Sequence, residues 1–586
     1  MLSRPVRLRQ SARSATVQAR SAADPLAARL ALASGGLAFL LRARTAGHFR
    51  TWDETTWLVR SERFGDAIAT GRLDHASSTP DWTVATMPGL STMAIGAVAH
   101  AVWRAGQWAG VWAQAPGDTF EMSRTGLLFA HLGVAAVTAA LVGLLVLLLA
   151  RWVGTGAAAI AGVLVATEPW LVAHGAVLHT DELMTLFAIT GLVATALALG
   201  VPHRTDWAGR RRVGLLAGLL FGGALLTKIS AVIFLPGAVL LAGWAVMRAR
   251  AAAGPAGGGG LRAATATVRP PVAGWLAGAG GLSLVAYPAL WLMLPVTELG
   301  RLTMSLGLGV YPTQVYQLFR GRPVTDPGPA FYLVVLPFRM TPWLLVGTLA
   351  GAVAICCRRV WRGYALALAC LAVPPFGLLS LANKKFDRYA LPFLVFGAIL
   401  VGIVLAPVVP ALLRRYWPGR PARAAAALGM AAAVLVAGHS LLVAPWGSAY
   451  FDPLLGGGPA AIRTIPVGWG EGLEQAGAFI ARREAGRCDA VSVYSTWPIR
   501  AVFPCGVWLT EQQAPAATYL VLYVGDRQVL PPARIAELIG PRALVATVTL
   551  RGLDYAQVYG PATGSTGAAS TGAGPAATGS TGTGGG

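Results

Sequence analysis

Ten apolar runs, most of about 20 residues, constrain this chain more than any other feature. They cover approximately 125–149, 156–174, 183–200, 213–226, 229–247, 272–294, 331–354, 363–382, 391–413 and 424–445. A weaker run covers roughly 24–41. Inside a bilayer no water satisfies the backbone, so segments of this kind cross it as α-helices. The chain therefore reads as a polytopic α-helical membrane protein with about 11 transmembrane helices. Four parts follow: a basic N-terminus over 1–23, a membrane domain over 24–445, a small external α/β domain over 446–559, and a Gly/Ser/Thr-rich tail over 560–586.

Composition agrees. Of the 586 residues, 55% are apolar and only 12% are charged, against roughly 25% charged in soluble proteins. The net charge of +22 invites a nucleic-acid partner. The arginines argue against it, because they cluster in short segments between apolar runs. Membrane lipids are the expected surroundings. Five cysteines follow no metal spacing. Cys488 and Cys505 fall in the external domain, where a disulfide and two buried thiols are equally good readings.

The basic segments are Arg4 to Arg29, Arg151, Arg204 to Arg212, Arg248 to Arg269, Arg358 to Arg362, and Arg414 to Arg423. Eleven spans with the N-terminus inside put all of them in the cytoplasm of a cell-membrane protein and the C-terminal domain outside. That parity requires 88–103 to be interfacial or re-entrant. The stretch Trp57 to Thr70 reads as a second interfacial helix, with Trp57, Phe64 and Ile68 on one face and Arg60, Glu62, Arg63 and Asp66 elsewhere. Arg42 and Arg44 follow the first span on the wrong side. A cleaved signal peptide is the alternative there; an uncleaved anchor is preferred because no small-x-small site follows. In the external domain, 489–494, 518–523 and 543–548 read as strands, with helices near 472–484 and 532–539.

This topology gathers unusual polar residues on the outer face. Asp53 and Glu54 stand about ten residues after the first run, and His179-Thr180-Asp181-Glu182 lies between the third and fourth spans. Lys228 lies at the next outer turn, and Asn383-Lys384-Lys385-Phe386-Asp387-Arg388-Tyr389 lies between the ninth and tenth. The chain has three lysines, and all three are external by this count. Each group has a plain reading alone: a solvated acid pair, a helix cap at Thr180 or Asp181, or snorkelling cations. His174 and His179 fit ordinary interfacial histidines better than metal ligands. Together, however, carboxylates can take a proton and cations can stabilise a departing phosphate. That combination suits glycosyl transfer from a lipid-phosphate sugar, since no nucleotide sugar is available outside a bacterial membrane. A transporter or flippase for an anionic solute or a lipid-linked sugar is the alternative; it would place charges near the membrane midplane and show internal repeats, and neither is seen. A non-catalytic cell-wall assembly protein is a third reading.

At these residues the chain resembles the lipid-carrier-dependent C-type glycosyltransferases, such as protein O-mannosyltransferases and lipid A aminoarabinose transferases. The resemblance runs over about residues 25–415. It rests on Trp52-Asp53-Glu54, on His179-Thr-Asp181-Glu-Leu-Met-Thr-Leu-Phe187, on Leu225-Leu-Thr-Lys228, and on Lys384-Lys-Phe-Asp-Arg388-Tyr389-Ala-Leu-Pro392. Further on, Tyr450-Phe-Asp-Pro453 and Val467-Gly-Trp-Gly-Glu-Gly-Leu-Glu474 resemble a bacterial subgroup whose core is followed by a small external domain. The resemblance implies an inverting transferase that moves a sugar (mannose, another hexose or a pentose) from a polyprenyl-phosphate carrier to a protein, lipid or glycan. It implies catalytic roles for Asp53 as general base, Glu54 in support and Asp181 in orientation. It implies a donor-phosphate site at Lys228, Lys384, Lys385, Arg388 and Tyr389. Metal use varies in that family, which leaves a divalent metal open; the sequence offers no persuasive ligand set. The loop at Thr86-Met87-Pro88-Gly89 departs from the family's His/Lys-Pro pattern.

Overall fold

The structure, a computed structural model, describes residues 24–72, 89–112, 119–202, 209–253, 260–286, 316–358, 361–416, 419–484, 491–496 and 507–562. Cys488, Cys505, Thr86 to Pro88 and most of the tail lie outside those residues.

Each of the eleven apolar runs is helical where described. Among the described residues, seven helices are long and apolar enough to cross a membrane: Pro25–Ala43, Arg124–Trp152, Thr180–Leu199, Ile229–Ala252, Arg362–Leu381, Asp387–Tyr416 and Arg423–Val443. Two expected spans are each broken in two. The run over 156–174 forms Thr155–Thr167 and Pro169–His174, parted at Glu168. The run over 331–354 forms Phe331–Arg339 and Pro342–Cys357, parted at the extended Met340. The breaks face each other. Glu168 accepts hydrogen bonds from Thr341 N (2.9 Å) and Thr341 Oγ1 (2.7 Å), replacing partners that the second helix's first turn lacks.

Helix Thr180–Leu199 lies at the centre of the bundle, with 94% of its apolar window buried. Its neighbour Arg210–Thr227 packs backbone to backbone on Gly260–Ala286. A Cβ on Gly218 would stand 2.0 Å from Trp275 O, and one on Gly278 would stand 2.4 Å from Leu215 O. Such reciprocal glycines are how apolar helices approach closely when packing, not water, drives them together.

The two interfacial stretches are helices Glu54–Ala69 and Leu90–Trp108. The expected faces of the first need correction. Ile68 is exposed, whereas Arg60 is buried with its guanidinium 4.5 Å from the Trp57 ring centre. Cation–π contact and a long aliphatic stem let Arg60 occupy the inward face.

Strands β1 (Gln317–Phe319) and β2 (Arg322–Val324) pair antiparallel. Beyond Val443 the chain adds β3 (Ser492–Ser495), β4 (Val507–Trp508), β5 (Tyr519–Tyr523), β6 (Ala543–Leu550) and β7 (Leu553–Gly560), which form one sheet in the order β4-β3-β5-β7-β6. Strand β3 pairs parallel with β4 and β5, and β7 runs antiparallel between β5 and β6. Helices Leu473–Arg483 and Pro532–Ile539 accompany the sheet, as the sequence suggests. Strands β4 and β7 are the unexpected members. Arg551 and Gly552 both have positive φ and form the two-residue turn before β7; Arg-Gly lacks the Asn-Gly signature of such turns.

Candidate active site

Asp53 is the N-cap residue of helix Glu54–Ala69, yet its side chain makes no capping bond. An aspartate there normally binds the free N–H groups of the first turn. Instead Oδ2 accepts from Trp469 Nε1 at 2.9 Å and faces Arg388 Nη2 at 3.4 Å and His179 Nε2 at 3.5 Å. Among the described residues Oδ1 has no partner, and the side chain keeps 28% exposure. Burial works against the charged carboxylate. The Arg388 guanidinium, His179 and the Trp469 N–H outweigh it and hold Asp53 well below the usual carboxylate range.

Asp181, in the first turn of helix Thr180–Leu199, is the second carboxylate. Its Oδ1 is 2.5 Å from Lys228 Nζ, and its Oδ2 is 3.1 Å from Arg388 Nε and 3.3 Å from His179 Nδ1. Neither Thr180 nor Asp181 is the N-cap of this helix; His179 is, with its Nδ1 3.4 Å from Asp181 N and 3.3 Å from Asp181 Oδ2. His179 thus bridges the two acids. Burial disfavours its cation, but Asp181 and Asp53 raise its pKa above the ordinary imidazole value.

The cations are held by rings. Lys228 Nζ sits 4.3 Å from the Tyr389 ring centre. Arg388 lies against Phe386 (4.3 Å), Trp469 (5.2 Å) and Tyr389 (5.9 Å). Two cations, Lys228 and Arg388, face the two carboxylates at the core of the site, and His179 lies between the acids. Buried ion pairs of this kind contribute little net stability, and charge networks in clefts mark functional sites.

Two sequence candidates are placed differently. Glu54 is fully buried: Oε1 accepts from Leu178 N (2.8 Å) and lies 2.5 Å from His131 Nε2, and Oε2 accepts from Thr51 N (2.7 Å). His131 Nδ1 accepts from Gly47 N (3.0 Å), which leaves Nε2 as the donor. Burial would raise the Glu54 pKa, but His131 and the two backbone donors hold it down. Lys385 is buried against Asp326 at 3.0 Å and the Ala382 carbonyl, away from both acids. Lys384 is half-buried, 5.7 Å from the Phe386 ring, with no ion pair among the described residues.

Sequence reasoning missed Trp469 as a site residue. Its loop, Gly468-Trp469-Gly470-Glu471-Gly472, was visible as a motif of the C-terminal part, but nothing in it points to Asp53. Arg339 and Glu168 were missed too. Arg339 pairs with Asp387 at 2.5 Å, donates to Ser448 O at 2.9 Å and lies 3.8 Å from the Trp170 ring, bracing the segment that carries Arg388. A lone charge inside a predicted span is the signal that could have marked both. Among the described residues no group of three or more His, Cys, Asp or Glu side chains could hold a metal ion.

No protein-family profile matches the sequence, and no curated protein matches it. Among solved structures, the chain is similar to ArnT from Cupriavidus metallidurans bound to undecaprenyl phosphate, with 15% identity over 90% of this chain and 97% of that one and a TM-score of 0.47. It is also similar to the archaeal oligosaccharyltransferase AglB from Archaeoglobus fulgidus, in complex with an inhibitory peptide and a dolichol-phosphate. There the identity is 12% over 87% of this chain and 70% of that one, with a TM-score of 0.45. Likenesses this distant carry no argument about the chemistry.

Proposed function

We propose that the chain is an inverting membrane glycosyltransferase that moves a sugar from a polyprenyl-phosphate carrier to a hydroxyl-bearing protein, lipid or glycan outside the cell. The observation that carries this reading is the Asp53 carboxylate. One oxygen is anchored by donors and the other has no partner among the described residues, beside the Lys228 and Arg388 cations.

The open oxygen takes the proton of the acceptor O–H. The acceptor oxygen attacks the anomeric carbon as the bond from that carbon to the phosphate oxygen breaks, and polyprenyl phosphate leaves with one more negative charge. Lys228, Arg388 and Lys384 stabilise that charge, with Tyr389 holding the first two in place. Asp181 orients Lys228, Arg388 and His179. Glu54 anchors the start of the acid-bearing helix, and Lys385 fixes its own loop through Asp326. The loop that carries Trp469 lies on the same side of the membrane as the acids, because its indole reaches Asp53.

The test uses protein in nanodiscs, radiolabelled polyprenyl-phosphate sugars of several kinds, and crude envelope acceptors. The expected result is label transfer from one donor, slowed by added undecaprenyl phosphate as a product of the leaving-group class. Label that crosses the bilayer without any transfer to acceptor would reject the enzyme in favour of a transporter.

A further inference from the structure

We propose that Trp469 is a positioning residue for Asp53, so that the glycine-rich loop after the last membrane helix completes the site that the helices begin. This rests on the reading of Asp53 as the base.

Three observations carry it. First, the indole N–H makes the shortest contact to Asp53 Oδ2, 2.9 Å against 3.4 Å for Arg388 and 3.5 Å for His179. An indole nitrogen only donates, so the bond has one sense. It turns Oδ2 inward and leaves Oδ1 for a substrate. Second, the ring is wedged into the same cluster. It stacks on His174 (4.9 Å), meets His179 edge-on (5.1 Å) and backs Arg388 (5.2 Å). Third, the loop is fixed to the sheet. Trp469 N donates to Glu471 Oε2 at 2.6 Å, Tyr523 on β5 donates its hydroxyl to the same oxygen at 3.0 Å, and Gly470 N donates to the Tyr523 hydroxyl at 2.8 Å. Trp52 N donates to Trp469 O at 3.1 Å, which ties this loop to the residue before Asp53.

A buried indole N–H takes an acceptor wherever one is in reach. Here the acceptor is the carboxylate whose other oxygen has no partner among the described residues. The groups facing Asp53 from every packed element are His179, Arg388 and Trp469, with Asp181 and Lys228 one contact further away. Trp469 is the member of this set that the C-terminal part supplies.

The test compares wild type, Trp469→Phe, Asp53→Asn and the double variant, each full-length in nanodiscs, with Arg358→Ala as control. Phenylalanine keeps a ring and removes the donor. The indole ¹H–¹⁵N resonance that disappears in Trp469→Phe reports Trp469 without any need for turnover. It is expected to move in Asp53→Asn and to stay in Arg358→Ala. In the label-transfer assay Trp469→Phe is expected to lower kcat by about 10²-fold, the scale of a misplaced reacting group, with the donor KM unchanged. The double variant should be no slower than Asp53→Asn. An indole resonance indifferent to Asp53→Asn, or wild-type kcat in Trp469→Phe while Asp53→Asn is inactive, would overturn the positioning role and leave the enzyme reading standing. Full turnover in Asp53→Asn would instead overturn the reading beneath it.

Discussion

Asp53 and Glu54 are neighbours in the chain, yet their carboxylates meet different surroundings. Glu54 is sealed among backbone donors and His131, whereas Asp53 keeps 28% exposure and an oxygen without a partner among the described residues. In the sequence the two look like one acidic unit, because adjacency shows residue types and not the direction each side chain takes at a helix start. Separating them yields a prediction. Glu54→Ala leaves buried donors unpaired and should cost about 3 kcal/mol of stability, read as a lowered unfolding midpoint in mixed micelles. His179 yields another. Its pKa is raised in the folded protein, so the stability it contributes is complete below the unfolded imidazole value of about 6.5. That contribution is lost as pH rises through the folded value. His179→Gln should remove this part of the alkaline fall in melting temperature; an unchanged pH profile would show that His179 is not charged between the acids.

At the scale of elements, the site is made where helix ends meet. The apolar pattern places those ends within a few residues, and charge clusters mark which ends face the site. It does not show the breaks at Glu168 and Met340, because each run stays apolar on both sides of the break. It also leaves Arg42 as an anomaly, a cation after the first span on the outer side. The structure resolves it: Arg42 is buried with Glu182 at 3.4 Å and donates to Leu171 O at 3.3 Å. Arg42→Leu alone should cost about 3–5 kcal/mol by stranding Glu182, and the double change with Glu182→Leu should recover much of it. Equal losses in the single and double variants, measured by unfolding in mixed micelles, would remove the pair as the reason for the charge.

On the scale of the whole molecule, the apolar helices and three of the five strands were legible from periodicity and turn residues, as was helix Pro532–Ile539 with its observed ends; the short β4 and the closing strand β7 were not. Trp469's reach to Asp53 was not. The two residues are separated by 416 positions, and no local pattern encodes a contact between parts that fold on different principles. If Asp53 takes the acceptor's proton, its amide cannot replace it. In single-turnover label transfer in nanodiscs, at matched folded protein, Asp53→Asn is expected to fall about 10²–10⁴-fold below wild type, the scale of a missing general base, with the unfolding midpoint retained. A folded Asp53→Asn protein that transfers label at the wild-type rate would contradict Asp53 as the base.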